Sequence, residues 1–510
     1  MIVMRPRPSC LRETRQKPLA GLMLVMAGTL CIASQAVAGS LNDDINKAIS
    51  RSQIPRSKLG ISIRDTSTGR QIIDIAADKP RIPASNMKLL STGAALDTFP
   101  LDHQFRTRLL LEDNRLIIVG QGDPALGDPD LLMRMSDEDG KPIDIESILQ
   151  LWTNAIADAG VTRLDELIID DRIFDRDLFH PSWPTNQSQR HYCAEVSGLN
   201  FHRNILALRP APDSTRRRVV VGESPRSTFL PIKNNMSVAS GKSASKNNID
   251  PHRRVLTEQI VVNGTVGKQQ VSPVEVTIHE PAMFTGRLIA DRLERYGIKV
   301  GTVRYATESE RFDDGTVLFD VVTPLHTVLL ECNHESKNLY AEALLKHLGN
   351  RRTNRPGTWS NGSQALEEAI QLRTGVDKDK VVVSDGSGMS RLNQIPPSVM
   401  TLWLGSFADD SPKSIAFRDA LPSPGSGTLE RRFGSSNLHG CIVVAKSGYI
   451  NRVSALSGLV IAPDWRSVAF SIMGNDLAKV RNCKRLQEQI VEAIAADLTA
   501  STKTAATSTR

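Results

Sequence analysis

Apolar residues change their spacing several times along this chain, and each change marks an element. Leu41, Ile45 and Ile49 recur as one helix face through about Ser50, and Ile54-Pro55 ends that helix. Two β-rich runs, Leu59 to Asp65 and Gln71 to Ile75, flank Thr66-Ser67-Thr68-Gly69-Arg70 and predict a hairpin. Pro83-Ala84-Ser85 opens a helix carrying Met87, Leu89, Leu90, Ala94, Ala95 and Leu96, with Pro100 beyond its end. From about Phe105 to Gly301 the pattern shortens to β-rich runs, such as Thr107 to Leu111, Leu116 to Val119, Leu167 to Ile169 and Arg218 to Val221. Long helical periodicity is scarce there until Ala282 to Tyr296. Within it, Asn234 to Arg254 is polar and rich in Ser, Asn and Lys, which predicts a mobile loop. Val317 to Val322 then lead through Pro324 into a helix with Ser336 near its end, and Leu339 to Leu348 continue the apolar signal. The last third holds three strands, Ile442 to Ala445, Ala455 to Ile461 and Val468 to Met473, and a closing helix from about Leu477 to Leu498.

A helix and two strands at the start, with three strands and a helix at the end, predict one antiparallel sheet assembled from both ends of the chain. The expected fold is α+β: a core domain from 39–104 and 302–500, split by a β-rich insertion at 105–301, with a disordered tail at 501–510. A chain of 510 residues is long enough for such a division.

The first 38 residues read differently. Arg5, Arg7, Arg12, Arg15 and Lys17 precede an apolar run from Leu19 to Ala33 and then Ala36-Val37-Ala38, the order of a cleavable secretory signal. The run is short for a membrane span. The mature protein is expected in the periplasm or otherwise outside the cytoplasm, with at most peripheral membrane contact. Five cations against Glu13 put +4 of the formal +7 in that leader, leaving about +3. With 5% aromatic residues and no basic stripe, nucleic acid is not an expected partner. Cys193, Cys332, Cys441 and Cys483 remain after the leader and allow three disulfide pairings, among which sequence does not choose. Their spacing matches no zinc pattern and His-Glu-x-x-His is absent, so no metal is expected.

Three short strings carry the candidate chemistry: Ser85-Asn86-Met87-Lys88, Ser336-Lys337-Asn338 and Lys446-Ser447-Gly448. Singly they are weak, since Ser243-Ala244-Ser245-Lys246 and Ser435-Ser436-Asn437 repeat two of the forms. Their order, and their placement at a helix start and a strand end, give them weight. A serine hydroxyl needs a neighbour to take its proton, and i, i+3 spacing on a helix lets Lys88 reach Ser85. Lysine must be neutral to act as a base, and burial with Lys446 as a second cation would favour that form. Backbone N–H groups at the helix start supply half of an oxyanion hole, and the N–H of Tyr449 would supply the rest. Lys446 suits the carboxylate at the end of a peptide, and Gly448 would let a substrate backbone approach. Ser336 would relay a proton to the leaving amine, and the Asn338 carboxamide would bind a substrate amide.

With these strings go Gly122-Asp123-Pro124, Asp170-Asp171, Trp183-Pro184, the run Leu199 to Asn204, Asp385-Gly386-Ser387-Gly388-Met389-Ser390-Arg391 and Gly427-Thr428-Leu429. On them the chain resembles the class C penicillin-binding proteins of the penicillin-binding protein 4 type, D-alanyl-D-alanine carboxypeptidases and endopeptidases, over nearly its whole mature length. The resemblance implies a penicillin-recognising serine transpeptidase/β-lactamase-like domain, an antiparallel sheet flanked by helices, interrupted after the Ser-x-x-Lys helix. It makes Ser85 the acylated nucleophile and Lys88 its base, lines the cleft with Ser336, Asn338, Lys446 and Ser447, and adds Arg391 as a substrate contact. It implies no cofactor, peptidoglycan peptides as substrates and β-lactams as covalent inhibitors. Ser447 stands where threonine is commoner, Tyr449 where a small residue is, and Thr185-Asn186-Gln187 lacks the acidic group that relatives can carry. The preferred diamino acid, the balance of carboxypeptidase and endopeptidase activity, and the oligomeric state stay open.

Two other functions share parts of this pattern. A secreted serine β-lactamase uses the same strings, but Glu195-Val196-Ser197-Gly198-Leu199-Asn200 is one residue too long for its glutamate loop and precedes Ser336, where that loop should follow. A noncatalytic cell-wall binding protein would not need all the catalytic groups this chain keeps.

Overall fold

The structure, a computed structural model, describes residues 2–3, 40–136 and 140–507. The expected signal at 1–38 lies outside these residues apart from Ile2 and Val3.

Both ends of the chain build one five-stranded antiparallel sheet, as the sequence predicts. Its order is Ile442–Ile450, Val453–Ile461, Ser467–Gly474, Leu59–Asp65, Gln71–Ile75. Strand alternation sends successive side chains to opposite faces. Leu456, Val460, Phe470 and Ile472 meet the helix Leu41–Ser52 and Leu486, Ile490 and Ile494 of the last helix on one face. Ala455, Leu459, Ala469 and Met473 pack on the other, where the helix Pro397–Gly405 lies against the sheet. The cations of the last helix therefore belong to its outer side, and its apolar stripe seals the sheet. That helix runs Val480–Thr507, so the tail expected from residue 501 is helical through 507, and 508–510 lie outside the described residues.

The chain leaves this sheet after Met87–Thr98 and enters a mixed sheet. Its order is Ile2–Val3, Thr316–Pro324, Gln104–Glu112, Arg115–Gly120, Arg163–Asp170, Lys299–Tyr305. Thr316–Pro324, beyond the 105–301 expected for the insertion, pairs along Gln104–Glu112 in this excursion's sheet. Two smaller sheets complete it. One of them corrects the mobile-loop reading of Asn234 to Arg254. Ile232–Val238 and Asn247–Arg253 are strands on either side of Ile260–Val266. Ile232, Met236 and Ile249 pack inward against the local core while the Asn and Lys positions between them face water, so the alternation is hidden by polar composition. The helix Ile145–Asp158 is a second element the periodicity reading passed over. Ile148, Leu149, Trp152 and Ile156 bury one face of it, and Asp144 with Ser147 forms a capping box at its start.

Among the described residues, Cys193, Cys332, Cys441 and Cys483 are buried free thiols, and none of the three pairings between them is formed.

Candidate active site

Ser85 sits in a 3-10 turn, Ala84–Asn86, that runs directly into Met87–Thr98. Met87 through Leu96 are all buried, which suits a helix with no polar face. Its polar members find partners inside the core: Ser91 Oγ donates to the Gly386 carbonyl at 2.8 Å and Thr92 Oγ1 to the Lys88 carbonyl at 2.6 Å.

Lys88 is the centre of the site. Its Nζ lies 3.3 Å from Ser85 Oγ, 2.7 Å from Asn338 Oδ1 and 2.9 Å from the Ser387 carbonyl oxygen. As an ammonium it can donate to all three. As a neutral amine it has two N–H bonds and a lone pair, and the two shorter contacts hold the N–H bonds. The lone pair is then left facing Ser85, the arrangement a general base needs. Burial lowers the Lys88 pKa to about 8. Cys332 lies close enough to hold the proton were it a thiolate, but burial pushes that thiol up to about 12 and it stays uncharged.

Lys446, also fully buried, is lowered to about 7 by burial and then by the charge of Lys88. The expected direction was the reverse, with Lys446 discharging Lys88. Among the described residues Lys446 Nζ bonds only to the Ser447 carbonyl, at 3.2 Å. Its strand is an edge of the sheet, with a single neighbour, so part of its backbone faces the cleft.

Gly448 packs against the turn that carries Ser85. A Cβ there would lie 2.8 Å from the Pro83 oxygen, 2.9 Å from Asn86 Oδ1 and 3.0 Å from the Ser85 nitrogen, so the residue makes room for the nucleophile turn. Asn338 Oδ1 accepts from Lys88 and its Nδ2 donates to the Tyr192 carbonyl at 2.8 Å, so both ends of the carboxamide are engaged. Ser336 is half-buried with φ at +59°, and its hydroxyl makes no hydrogen bond among the described residues. A left-handed serine costs of order 1–3 kcal/mol and persists only where its surroundings enforce it.

The Asp385-Gly386-Ser387-Gly388 turn has a role that sequence alone did not assign. It delivers the Ser387 carbonyl to Lys88, and two buried carboxylates fix it. Asp385 accepts from Gly388 N, Ser390 N, Asn393 Nδ2 and Trp183 Nε1, and Glu342 accepts from Gly386 N, Ser387 N and Trp359 Nε1. Burial, with Asp385 nearby, raises Glu342 to about 7. Gly388 has φ at +82°, and a Cβ on it would fall 1.8 Å from the Ala84 oxygen. Gly388→Ala should therefore displace the nucleophile turn, and a shift near 1 Å at a reacting group costs about 100-fold. Stopped-flow acylation by a fluorescent penicillin measures this, with the melting temperature as a check on folding.

A cleft of about 810 Å³ opens over these groups, lined by Ser85, Ser336, Asn338, Arg391 and Tyr449 of the expected residues. Lys88, Lys446 and Gly448 lie buried behind its wall and Ser447 is half-buried. Arg391 donates to the Asn451 carbonyl at 2.9 Å, and Lys484 Nζ stands 5.5 Å from the Tyr449 ring centroid. Gln187 lines the cleft and accepts from the Tyr192 hydroxyl at 3.1 Å. The sequence reading missed His191, Tyr192 and Glu335 as lining residues. Glu335 adjoins Ser336 in sequence, a signal that was present, whereas Tyr192 is recruited through its carbonyl, which no side-chain pattern reveals. Glu195, the residue that invited a β-lactamase reading, is buried and paired with Arg253 at 3.1 Å and His279 at 3.0 Å, outside the cleft lining. No cluster of metal ligands is present among the described residues.

A serine beside an oriented lysine whose pKa is lowered by burial, with a second buried lysine on the adjoining strand, defines a lysine-assisted serine acyl-transfer enzyme. The chain belongs to the D-Ala-D-Ala carboxypeptidase 3 (S13) family, whose pattern it matches over residues 41–497. It is accordingly a serine-type D-Ala-D-Ala carboxypeptidase. It is 29% identical to a D-alanyl-D-alanine carboxypeptidase of an Actinomadura species, over 90% of this chain and 85% of the relative. It is 23% identical to D-alanyl-D-alanine carboxypeptidase DacB of Haemophilus influenzae, over 81% of this chain and 84% of the relative. Among solved structures, penicillin binding protein 4 (dacB) from Haemophilus influenzae superposes with a TM-score of 0.69 at 20% identity, covering 90% of this chain and 99% of that one. The α+β penicillin-recognising fold expected from sequence is thus the one observed.

Proposed function

We propose that Ser85 attacks the carbonyl of the penultimate D-alanine of a peptidoglycan stem peptide, with Lys88 taking the hydroxyl proton as the new C–O bond forms. The observation that carries this reading is the Lys88 clamp, with Asn338 Oδ1 and the Ser387 carbonyl holding its N–H bonds and Ser85 Oγ 3.3 Å away. The oxyanion is received by backbone N–H groups of Ser85 and Tyr449. Lys446 and Ser447 hold the terminal carboxylate, and Arg391 contacts the peptide further out. The departing nitrogen takes a proton through Ser336 as the C–N bond breaks, and D-alanine leaves. Water then opens the ester on Ser85 and restores the serine. β-Lactams enter the same path and acylate Ser85.

Endopeptidase action on cross-links is a second activity of the same site. It is favoured by the cleft, which at about 810 Å³ lies toward the upper end of the usual 300–1,000 Å³ for ligand pockets. The unit bounded by the strands Gln104–Glu112 and Thr316–Pro324 is an insertion that walls one side of this cleft through Gln187, His191 and Tyr192. The Ala36-Val37-Ala38 pattern supports export by a signal at 1–38. Among the described residues no helix is long and apolar enough to cross a membrane.

Digestion of purified muropeptides followed by mass spectrometry tests the assignment. The expected products are tetrapeptides and free D-alanine from pentapeptides, with monomers from cross-linked dimers. Intact pentapeptides after prolonged digestion, despite covalent penicillin labelling, would leave only a binding role.

A further inference from the structure

Lys337, the middle residue of Ser336-Lys337-Asn338, has no part in the chemistry above, yet it is the most heavily paired cation of the site. Its Nζ lies 2.7 Å from Asp128 Oδ2, 3.1 Å from Asp130 Oδ2 and 2.9 Å from Glu331 Oε2, and only 9% of its side chain is exposed. Glu331 belongs to the helix that ends just before Ser336, whereas Asp128 and Asp130 belong to the insertion. The pairing continues on both sides, through Arg134 to Glu331 and through Arg203 to Asp130 at 2.9 Å and Glu275 at 3.0 Å. Asp128 also accepts from the hydroxyl of Tyr340, in the first turn of the helix that follows, at 2.5 Å.

We propose that Lys337 is a positioning residue, whose ion-pair clasp to Asp128, Asp130 and Glu331 locks the insertion onto the core domain and thereby holds the Ser336 hydroxyl where it meets the departing nitrogen. This rests on the reading of Ser336 as the proton relay. Three observations join. The clasp adjoins a serine in the left-handed region, at φ +59°, which needs external restraint. The following residue, Asn338, is tied to the insertion at Tyr192 and to Lys88, so the segment is anchored on both sides of the lysine. The charge state of Lys337 also sets it apart from Lys88 and Lys446. Burial alone would lower its pKa, but Asp128, Glu331 and Asp130 outweigh burial and hold it above the usual lysine value, which makes it a permanent cation suited to a clasp and not to proton transfer.

The chemistry supplies a readout that general destabilisation would not give. Expelling an amine requires that its nitrogen gain a proton as the C–N bond breaks, whereas a thiolate leaves without one. A misplaced Ser336 should therefore penalise a D-alanyl-D-alanine peptide far more than the thioester with the same acyl group. The test measures kcat/KM on both substrates for the wild type, Ser336→Ala, Lys337→Met and the double variant. Lys337→Met is expected to lose about 100-fold on the peptide, in the range of a lost proton-transfer contribution, and only a few-fold, roughly, on the thioester. The double variant should lose no more than Ser336→Ala alone, as groups acting as one unit do.

Equal losses on both substrates, or full losses that multiply with those of Ser336→Ala, overturn the proposal. A Ser336→Ala enzyme that spares the peptide overturns the relay reading instead, so the two failures are distinguishable. Should Lys337→Met not fold, Asp130→Asn carries the same test, because Asp130 is the more exposed partner at 39%. A peptide-selective loss in that variant supports the clasp, and an unselective loss or none rejects it.

Discussion

Ser85→Ala is expected to abolish covalent labelling by a fluorescent penicillin and to lower peptide turnover by on the order of a million-fold, the scale seen when a catalytic serine is removed. The physical basis is narrow. The acyl group must bond to an oxygen in the cleft, and Ser85 Oγ is the hydroxyl within reach of a lysine held in position to take its proton. Ser336 also lines the cleft, but its hydroxyl bonds to no described residue, and Lys88 directs its remaining contacts elsewhere. Removing one half-buried hydroxyl from a turn fixed by Gly388 and Gly448 should leave the melting temperature almost unchanged. Gel fluorescence and peptide mapping of the labelled protein check both points. Persistent labelling, or a label mapped to another serine, would reject the assignment.

What the sequence made legible follows from the kind of contact involved. The five-stranded sheet was readable because strands such as Val453–Ile461 and Ser467–Gly474 are almost wholly buried and nearly continuous in apolar residues. The strands Ile232–Val238 and Asn247–Arg253 were not, since their outward positions are Asn, Lys and His and the inward ones are few. In the site, Ser85, Lys88 and Asn338, which the structure brings together, were singled out by type and spacing. The groups that orient them escaped because several are backbone atoms: the Ser387 carbonyl on Lys88, the Tyr192 carbonyl on Asn338 and the Ala84 oxygen against Gly388. Any residue can present a carbonyl. Gly448 shows the converse, a residue singled out from sequence whose close contact, with the Ser85 turn, lies in a part of the chain far away in sequence.

The second large effect concerns Lys88 and its pH dependence. Lys88→Met should slow acylation by about 10⁴-fold, the upper end for a general base, and should erase one limb of the pH–rate profile. In the wild type that limb rises with pH, because Lys88 accepts a proton only when neutral, and its pKa is lowered by burial to about 8. The opposing limb is expected to fall with pH, because in the proposed mechanism Lys446 binds the substrate carboxylate and can do so only while charged, and burial together with Lys88 brings it down to about 7. The productive state thus has the proton on Lys446, the weaker base of the pair, and off Lys88. In that mechanism a substrate carboxylate beside Lys446 would stabilise charge there and move the remaining proton away from Lys88, coupling binding to base activation. Two results follow: the profile for kcat/KM is bell-shaped with its maximum between about 7 and 8, and a substrate whose terminal carboxylate is amidated loses kcat as well as affinity. An unchanged kcat for the amide, or an ascending limb that survives in Lys88→Met, would separate Lys88 from the base that activates Ser85.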